Sequence, residues 1–175
     1  MKRIFLIGYM GAGKTTVGRK LAKEMNLSFI DLDLYIEGRF HRSIRQLFAE
    51  RGEEAFRDIE KRILHEVAEF EDVLVSTGGG TPCFFDNIDF MNTAGTTIYL
   101  KVSVKELASR LESCKQTRPV LKNRSGEELK SFIQENLNAR TPFYEKAKII
   151  YDAEQMMTEA DVQSITTNLK NILSL

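Results

Sequence analysis

The sequence predicts an α/β fold of three layers, a five-stranded parallel sheet with helices on both faces. Two observations predict it. Apolar runs recur at 3–7 (RIFLI), 28–31 (SFID), 73–76 (VLVS), 96–102 (TTIYLKV) and 148–152 (KIIYD), with helical patterns between them. Parallel strands need a long crossover, and helices supply it. The second observation is a glycine-rich loop, GYMGAGKTT (8–16), set between the first run and the first helical pattern. At 175 residues, 42% hydrophobic and 29% charged, the chain suits one soluble domain, 1–175, with a good core.

Gly8, Gly13, Lys14 and Thr15 fit G-x-x-x-x-G-K-[ST], the P-loop pattern. A phosphate chain needs many short donors, and backbone N–H groups supply them where no side chain blocks the approach. The start of the following helix adds partial positive charge. Lys14 is placed to reach the β- and γ-phosphates, and the Thr15 hydroxyl to sit on Mg²⁺. Val17, Leu21, Ala22 and Met25 recur at helical spacing after the loop. Strand, glycine loop and helix together specify a three-layer P-loop fold that binds a nucleoside triphosphate.

The second strand ends in DLD (31–33). Ligands bind beyond the carboxyl ends of such strands. Asp31 and Asp33 can orient hydrated Mg²⁺ and a substrate hydroxyl; alternatively Asp33 caps a helix over 34–40. Residues 33–70 are helical in pattern beyond what one crossover needs, and read as an inserted helical substrate-binding segment. Ser43-x-x-Gln46 within it is a capping box, as is Ser125-x-x-Glu128 further on. The third strand runs into GGG (78–80), which lets backbone donors approach a small polar ligand or simply makes a turn. That strand ends in Ser76-Thr77, without the aspartate that often holds Mg²⁺ in P-loop enzymes, so Asp31 is the substitute.

Residues 113–125 (SCKQTRPVLKNRS) are polar and basic and read as a mobile lid, with Arg118 able to stabilise charge on a transferring phosphoryl group. Arg57 lies in EEAFRDIEKR (53–62), which alone reads as a solvated ion-pair face. Arg140 precedes TPFY, between two helices. Arg57 and Arg140 together can clamp a carboxylate, because a guanidinium fork matches it bidentately. Thr158 opens a last helix with an apolar stripe of Val162, Ile165, Leu169, Ile172 and Leu173.

Composition removes other classes. Lys plus Arg and Asp plus Glu balance at 25 each, so no basic surface suggests nucleic acid. Cys83 and Cys114 form no C-x-x-C pair and suit a reducing compartment. His41 and His65 stand alone and are expected on the surface rather than as ligands. No apolar run approaches membrane-spanning length, and the cytoplasm is the default compartment. Monomer is the default oligomeric state.

In order, GYMGAGKTT, FIDLDLYIE (29–37), SIRQLFAERGEEAFRDIE (43–60), VLVSTGGG (73–80), RPVL (118–121) and NARTPFYEKA (138–147) resemble the shikimate kinase family. The resemblance spans nearly the whole chain. It implies transfer of the ATP γ-phosphoryl group to the 3-hydroxyl of shikimate, in aromatic amino-acid biosynthesis. By matching position it implies Asp33 as base toward the substrate hydroxyls. Arg57 and Arg140 would hold the carboxylate, Gly79 and Gly80 would touch the ring, and Glu60 would orient Arg57. Gly11, Ala12, Gly13, Lys14, Thr15 and Thr16 would wrap the phosphates, with Mg²⁺ on Thr15. Arg118 would close from the lid and Arg110 would lie near the adenine. The arginine that the family often carries after the last strand is absent from YDAEQMMTEADV (151–162), which leaves Gln155 as a candidate there. Gluconate kinase, another small-metabolite kinase of this fold, is the nearest alternative. A nucleotide-binding regulatory module that transfers nothing is the alternative outside enzymes, and Lys14, Asp33 and Arg118 argue against it.

Overall fold

A computed structural model describes residues 1–113 and 126–175. The elements run β1 (Arg3–Ile7), α1 (Lys14–Glu24), β2 (Ser28–Asp31), α2 (Leu32–Phe40), α3 (Ile44–Val67) and β3 (Val73–Ser76). A short 3-10 turn (Thr81–Cys83) and α4 (Asn87–Ala94) lead to β4 (Thr96–Lys101) and α5 (Val104–Glu112). Then come α6 (Gly126–Tyr144), β5 (Ile149–Asp152) and α7 (Glu159–Leu173). The five strands are parallel, in the order β2-β3-β1-β4-β5. All five runs expected as strands are strands, to within a residue at their ends.

β1 is central, and Ile4, Phe5, Leu6 and Ile7 are all buried, as a strand covered on both faces must be. Each such side chain contributes about 1.5–3 kcal/mol by leaving water. α1 lies against β1, β2 and β3 and packs on α7, while α4 lies against β4. Register puts Leu6 and Asp31 on either side of Ser76, so the chain leaves β1, β2 and β3 side by side. The P-loop, Asp31–Asp33 and Gly78–Gly80 therefore open onto one edge of the sheet.

Most of the segment 33–70 is helical, as nearly all of α2 and the whole of α3. α3 bends at Gly52, whose φ of 82° lies outside the helical region and in one that L side chains rarely adopt. The Ser43–Gln46 capping box forms at its start, and Thr158 caps α7 with Asp161 answering. The Ser125 box lies outside the described residues, as does the expected lid beyond Ser113, including Arg118 and Cys114.

Four expectations are corrected. Asp31, not Asp33, caps α2: its carboxylate accepts the Leu34 N–H at 3.1 Å. β2 passes into α2 with no loop, so the cap falls on the last strand residue. Arg140 lies inside α6 rather than between two helices. Pro142 forfeits only its own N–H bond, two residues before the helix ends, and packing of Leu129, Ile133 and Tyr144 keeps the helix whole. His65 is half-buried rather than on the surface, stacked on Phe90 at 3.6 Å between ring centroids. Ile172 is exposed, so the buried stripe of α7 is Val162, Ile165 and Leu169.

Candidate active site

The P-loop has the geometry that an anion requires. Gly13 precedes α1 at φ 98°, a left-handed conformation that turns the chain into the helix. No side chain caps α1 and no acidic residue stands in its first turn. Its first N–H groups are thus open to a charged ligand. The Lys14 ammonium donates to the carbonyls of Gly8 at 2.6 Å and Tyr9 at 3.0 Å, which holds it over the loop. Thr15 and Thr16 lie at the exposed start of the helix, and Ala12 is buried beneath.

Arg110 ties this loop to the segment after β5. It donates to the carbonyls of Gly11 at 3.1 Å, Ala153 at 2.8 Å and Glu154 at 2.9 Å. Its Nε pairs with Glu106 at 3.0 Å. Met156, from the same segment, covers the P-loop so closely that a Cβ on Gly13 would strike its methyl group. Gln155 is exposed.

The glycine triplet is where the expected residues meet. A Cβ on Gly78 would stand 3.1 Å from Asp33 Oδ1, and one on Gly79 3.0 Å from Arg140 Nη1. A Cβ on Gly80 would stand 2.8 Å from Arg57 Nη2. The three glycines thus run past a carboxylate and two guanidinium groups in turn. Side chains here would displace the groups that a ligand needs. All of these residues line one cavity of about 860 Å³ that also contains Lys14, Thr15 and Asp31.

Arg57 does not lie on a solvated face. Its side chain is 11% exposed and its guanidinium lies 4.0 Å from the Phe84 ring centroid, with Phe48 and Phe56 also against it. Arg57 Nη1 donates to Glu60 Oε1 at 3.0 Å. Glu60 is buried, and its second oxygen accepts the Thr81 hydroxyl at 2.8 Å. Thr81 is the residue after the triplet, so the Arg57–Glu60 pair is fastened to the loop that faces it.

Asp33 stands apart electrostatically. Burial, then the negative charges of Glu60 and Asp31, raise its carboxyl from an ordinary 3.8 to about 6, while Lys14 opposes them. It is ionised at neutral pH and able to accept a proton. Cys83 offers no competing nucleophile: burial pushes its thiol up to about 11 although Arg140 and Arg57 stand nearby.

Among the described residues no cluster of three or more His, Cys, Asp or Glu makes a metal cage. That fits Mg²⁺ on a P-loop, which takes one or two protein ligands and completes its shell with phosphate and water. Thr15 and the Asp31 oxygen not used in capping are such donors, in the same cavity.

Thr81, Tyr144 and Met156 were not among the expected site residues. Adjacency to the glycine triplet is the signal for Thr81, and i+4 spacing from Arg140 is the signal for Tyr144. Met156 has no local signal, because only folding brings it to the P-loop.

Residues 10–170 match the shikimate kinase family model. The chain is 70% identical to the shikimate kinase of Parabacteroides distasonis over 173 residues, 99% of this chain and all of that one. The crystal structure of shikimate kinase from Bacteroides thetaiotaomicron superposes with a TM-score of 0.96 at 49% identity, covering 99% of both chains. Shikimate kinase from Acinetobacter baumannii in complex with shikimate gives a TM-score of 0.84 at 32% identity, over 99% of this chain and 94% of that one. A gluconokinase from Sinorhizobium meliloti, at 16% identity and a TM-score of 0.57 over 99% of this chain and 95% of that one, shares the fold alone. The chain belongs to the shikimate kinase family, enzymes that phosphorylate shikimate with ATP.

Proposed function

We propose that this chain, working as one kinase domain, transfers the γ-phosphoryl group of ATP to the 3-hydroxyl of shikimate, with each role carried by the residues described above. The observation that carries the reading is the glycine triplet running past Asp33, Arg140 and Arg57 in one cavity with the P-loop. A small hydroxylated acid needs a proton acceptor at one end and a cationic fork at the other, with backbone donors between. This cavity has those parts in that order.

Gly11 to Thr16 and the start of α1 bind the phosphates, and Lys14 leaves its carbonyl partners for the β- and γ-oxygens. Arg110 lies on the adenine side of the loop, and Arg118 is the proposed lid arginine. Thr15 and Asp31 would hold Mg²⁺, which would supply positive charge to neutralise the phosphates. Arg57 and Arg140 grip the shikimate carboxylate, and Gly79 and Gly80 offer it backbone donors. Asp33 accepts the proton of the attacking hydroxyl, and its raised pKa suits that task near neutral pH. Positioning and electrostatics carry most of phosphoryl transfer, so the site needs no covalent nucleophile. The reading takes a single chain as the working unit. The free Cys83 thiol suits the cytoplasm.

The test is ADP release by the purified chain with ATP and Mg²⁺, using shikimate, gluconate or no acceptor. Release that depends on shikimate is expected. Equal release in all three would overturn the reading.

A further inference from the structure

Tyr144 is the last residue of α6, one turn beyond Arg140, and is fully buried. Its ring packs against Tyr99, with centroids 5.0 Å apart. Its hydroxyl donates to the Gly79 carbonyl at 2.5 Å. Burial raises the hydroxyl's pKa while the adjacent Arg140 pulls it down, so Tyr144 stays protonated at neutral pH and Arg140 stands beside the oxygen. No cis peptide occurs among the described residues, so the Gly79 C=O and the Gly80 N–H point in opposite directions from one plane. Among the described residues neither the Gly79 nor the Gly80 N–H has a hydrogen-bond acceptor.

We propose that Tyr144 is a positioning residue for shikimate: by holding the Gly79 carbonyl it turns the Gly80 amide toward the acid, with Arg140 beside the same hydroxyl. This rests on the reading of the triplet as the shikimate cradle. One hydroxyl then sets two of the contacts that the acid makes. Without it the Gly79–Gly80 peptide is free to rotate, because glycine restrains neither flanking dihedral. The carbonyl would then compete for the space that the amide occupies. A role in packing alone is the competing explanation, since a buried tyrosine hydroxyl needs some acceptor wherever it lies.

The experiment compares Tyr144→Phe with Tyr99→Phe in the full chain. Both keep the aromatic pair, and only the first removes the bond to Gly79. Tyr144→Phe is expected to raise KM for shikimate roughly 5- to 50-fold, the loss of about one to two hydrogen bonds. KM for ATP should stay within about twofold, and Tyr99→Phe should leave both values unchanged. A shikimate KM within twofold of the parent, or both KM values rising together with a fall in Tm, would overturn the proposal. Amide spectra of the ¹⁵N-labelled unmutated chain provide an arm that needs no variant. The Gly80 resonance should move as shikimate is titrated. Saturable binding with an unmoved Gly80 overturns the Tyr144 inference alone. No saturable binding of shikimate overturns the cradle itself, and the inference with it.

Discussion

Arg57 and Glu60 form a pair shielded from water, 3.0 Å apart, with the Arg57 side chain 11% exposed and that of Glu60 1%. A buried pair repays its desolvation only when the remaining lone pairs are also satisfied. Thr81 supplies the second donor, and Asn87 in turn donates to the Thr81 carbonyl at 2.9 Å. The chain of bonds fixes the guanidinium against Gly80 before any acid arrives. Preorganisation of this kind lowers the entropy lost on binding.

Arg57→Ala should therefore weaken shikimate binding by about 1.5–3 kcal/mol, the range for hydrogen bonds to charged groups. ATP binding should be unaffected. Calorimetric titration with each ligand separates the two, and unchanged shikimate affinity would remove Arg57 from the clamp.

Thr81→Val keeps the shape of the side chain and leaves Glu60 Oε2 without its donor. A loss of about 1–3 kcal/mol in folding stability is expected, with a weaker hold on Arg57. Urea unfolding reads the first effect and KM for shikimate the second. A variant as stable as the parent would mean that Glu60 finds another donor.

Asp33→Asn removes the proposed proton acceptor and should lower kcat by roughly 10²–10⁴. Shikimate should still bind. Turnover near the parent value would place the proton elsewhere.

The same carboxylate predicts a pH dependence. Its folded pKa, about 6, lies above the ordinary 3.8, so between these values the folded state binds more protons than the unfolded state. Stability from this group is full below about pH 4 and is lost as pH rises through 6. Asp33→Asn should then be more stable than the parent at pH 8, on the order of 3 kcal/mol, with little difference at pH 3.5. Activity runs the opposite way: kcat/KM for the parent should rise with pH to a limb near 6. An acid limb near 4 would show that burial does not tune this group.

The sheet is legible in the sequence because buried parallel strands are short apolar runs, and RIFLI, VLVS and TTIYLK cannot be much else between helices. The P-loop is legible because its chemistry is local to nine residues. Ser43 and Thr158 announce their helices by side chains that bond within three residues. What is not legible depends on contacts far apart in sequence. Arg57 sits among Glu53, Glu54, Asp58 and Glu60 and looks solvated until Phe84 covers it from another loop. The exchange of Asp31 for Asp33 as helix cap turns on where α2 begins, at Leu32 rather than 34, a two-residue matter that no propensity decides. Tyr144 carries no local sign of its bond to Gly79, because only folding brings its hydroxyl to that carbonyl.

In the proposed function Arg57 and Arg140 read the carboxylate of the acid from beside the glycine triplet. The most direct measurement compares kcat/KM for shikimate and for its methyl ester, in the parent chain, Arg57→Ala and Arg140→Ala. The parent should discriminate against the uncharged ester by roughly 10- to 100-fold, as charged hydrogen bonds predict, and each variant should lose most of that discrimination. An ester penalty of the same size in all three proteins would mean that the carboxylate is held by other residues.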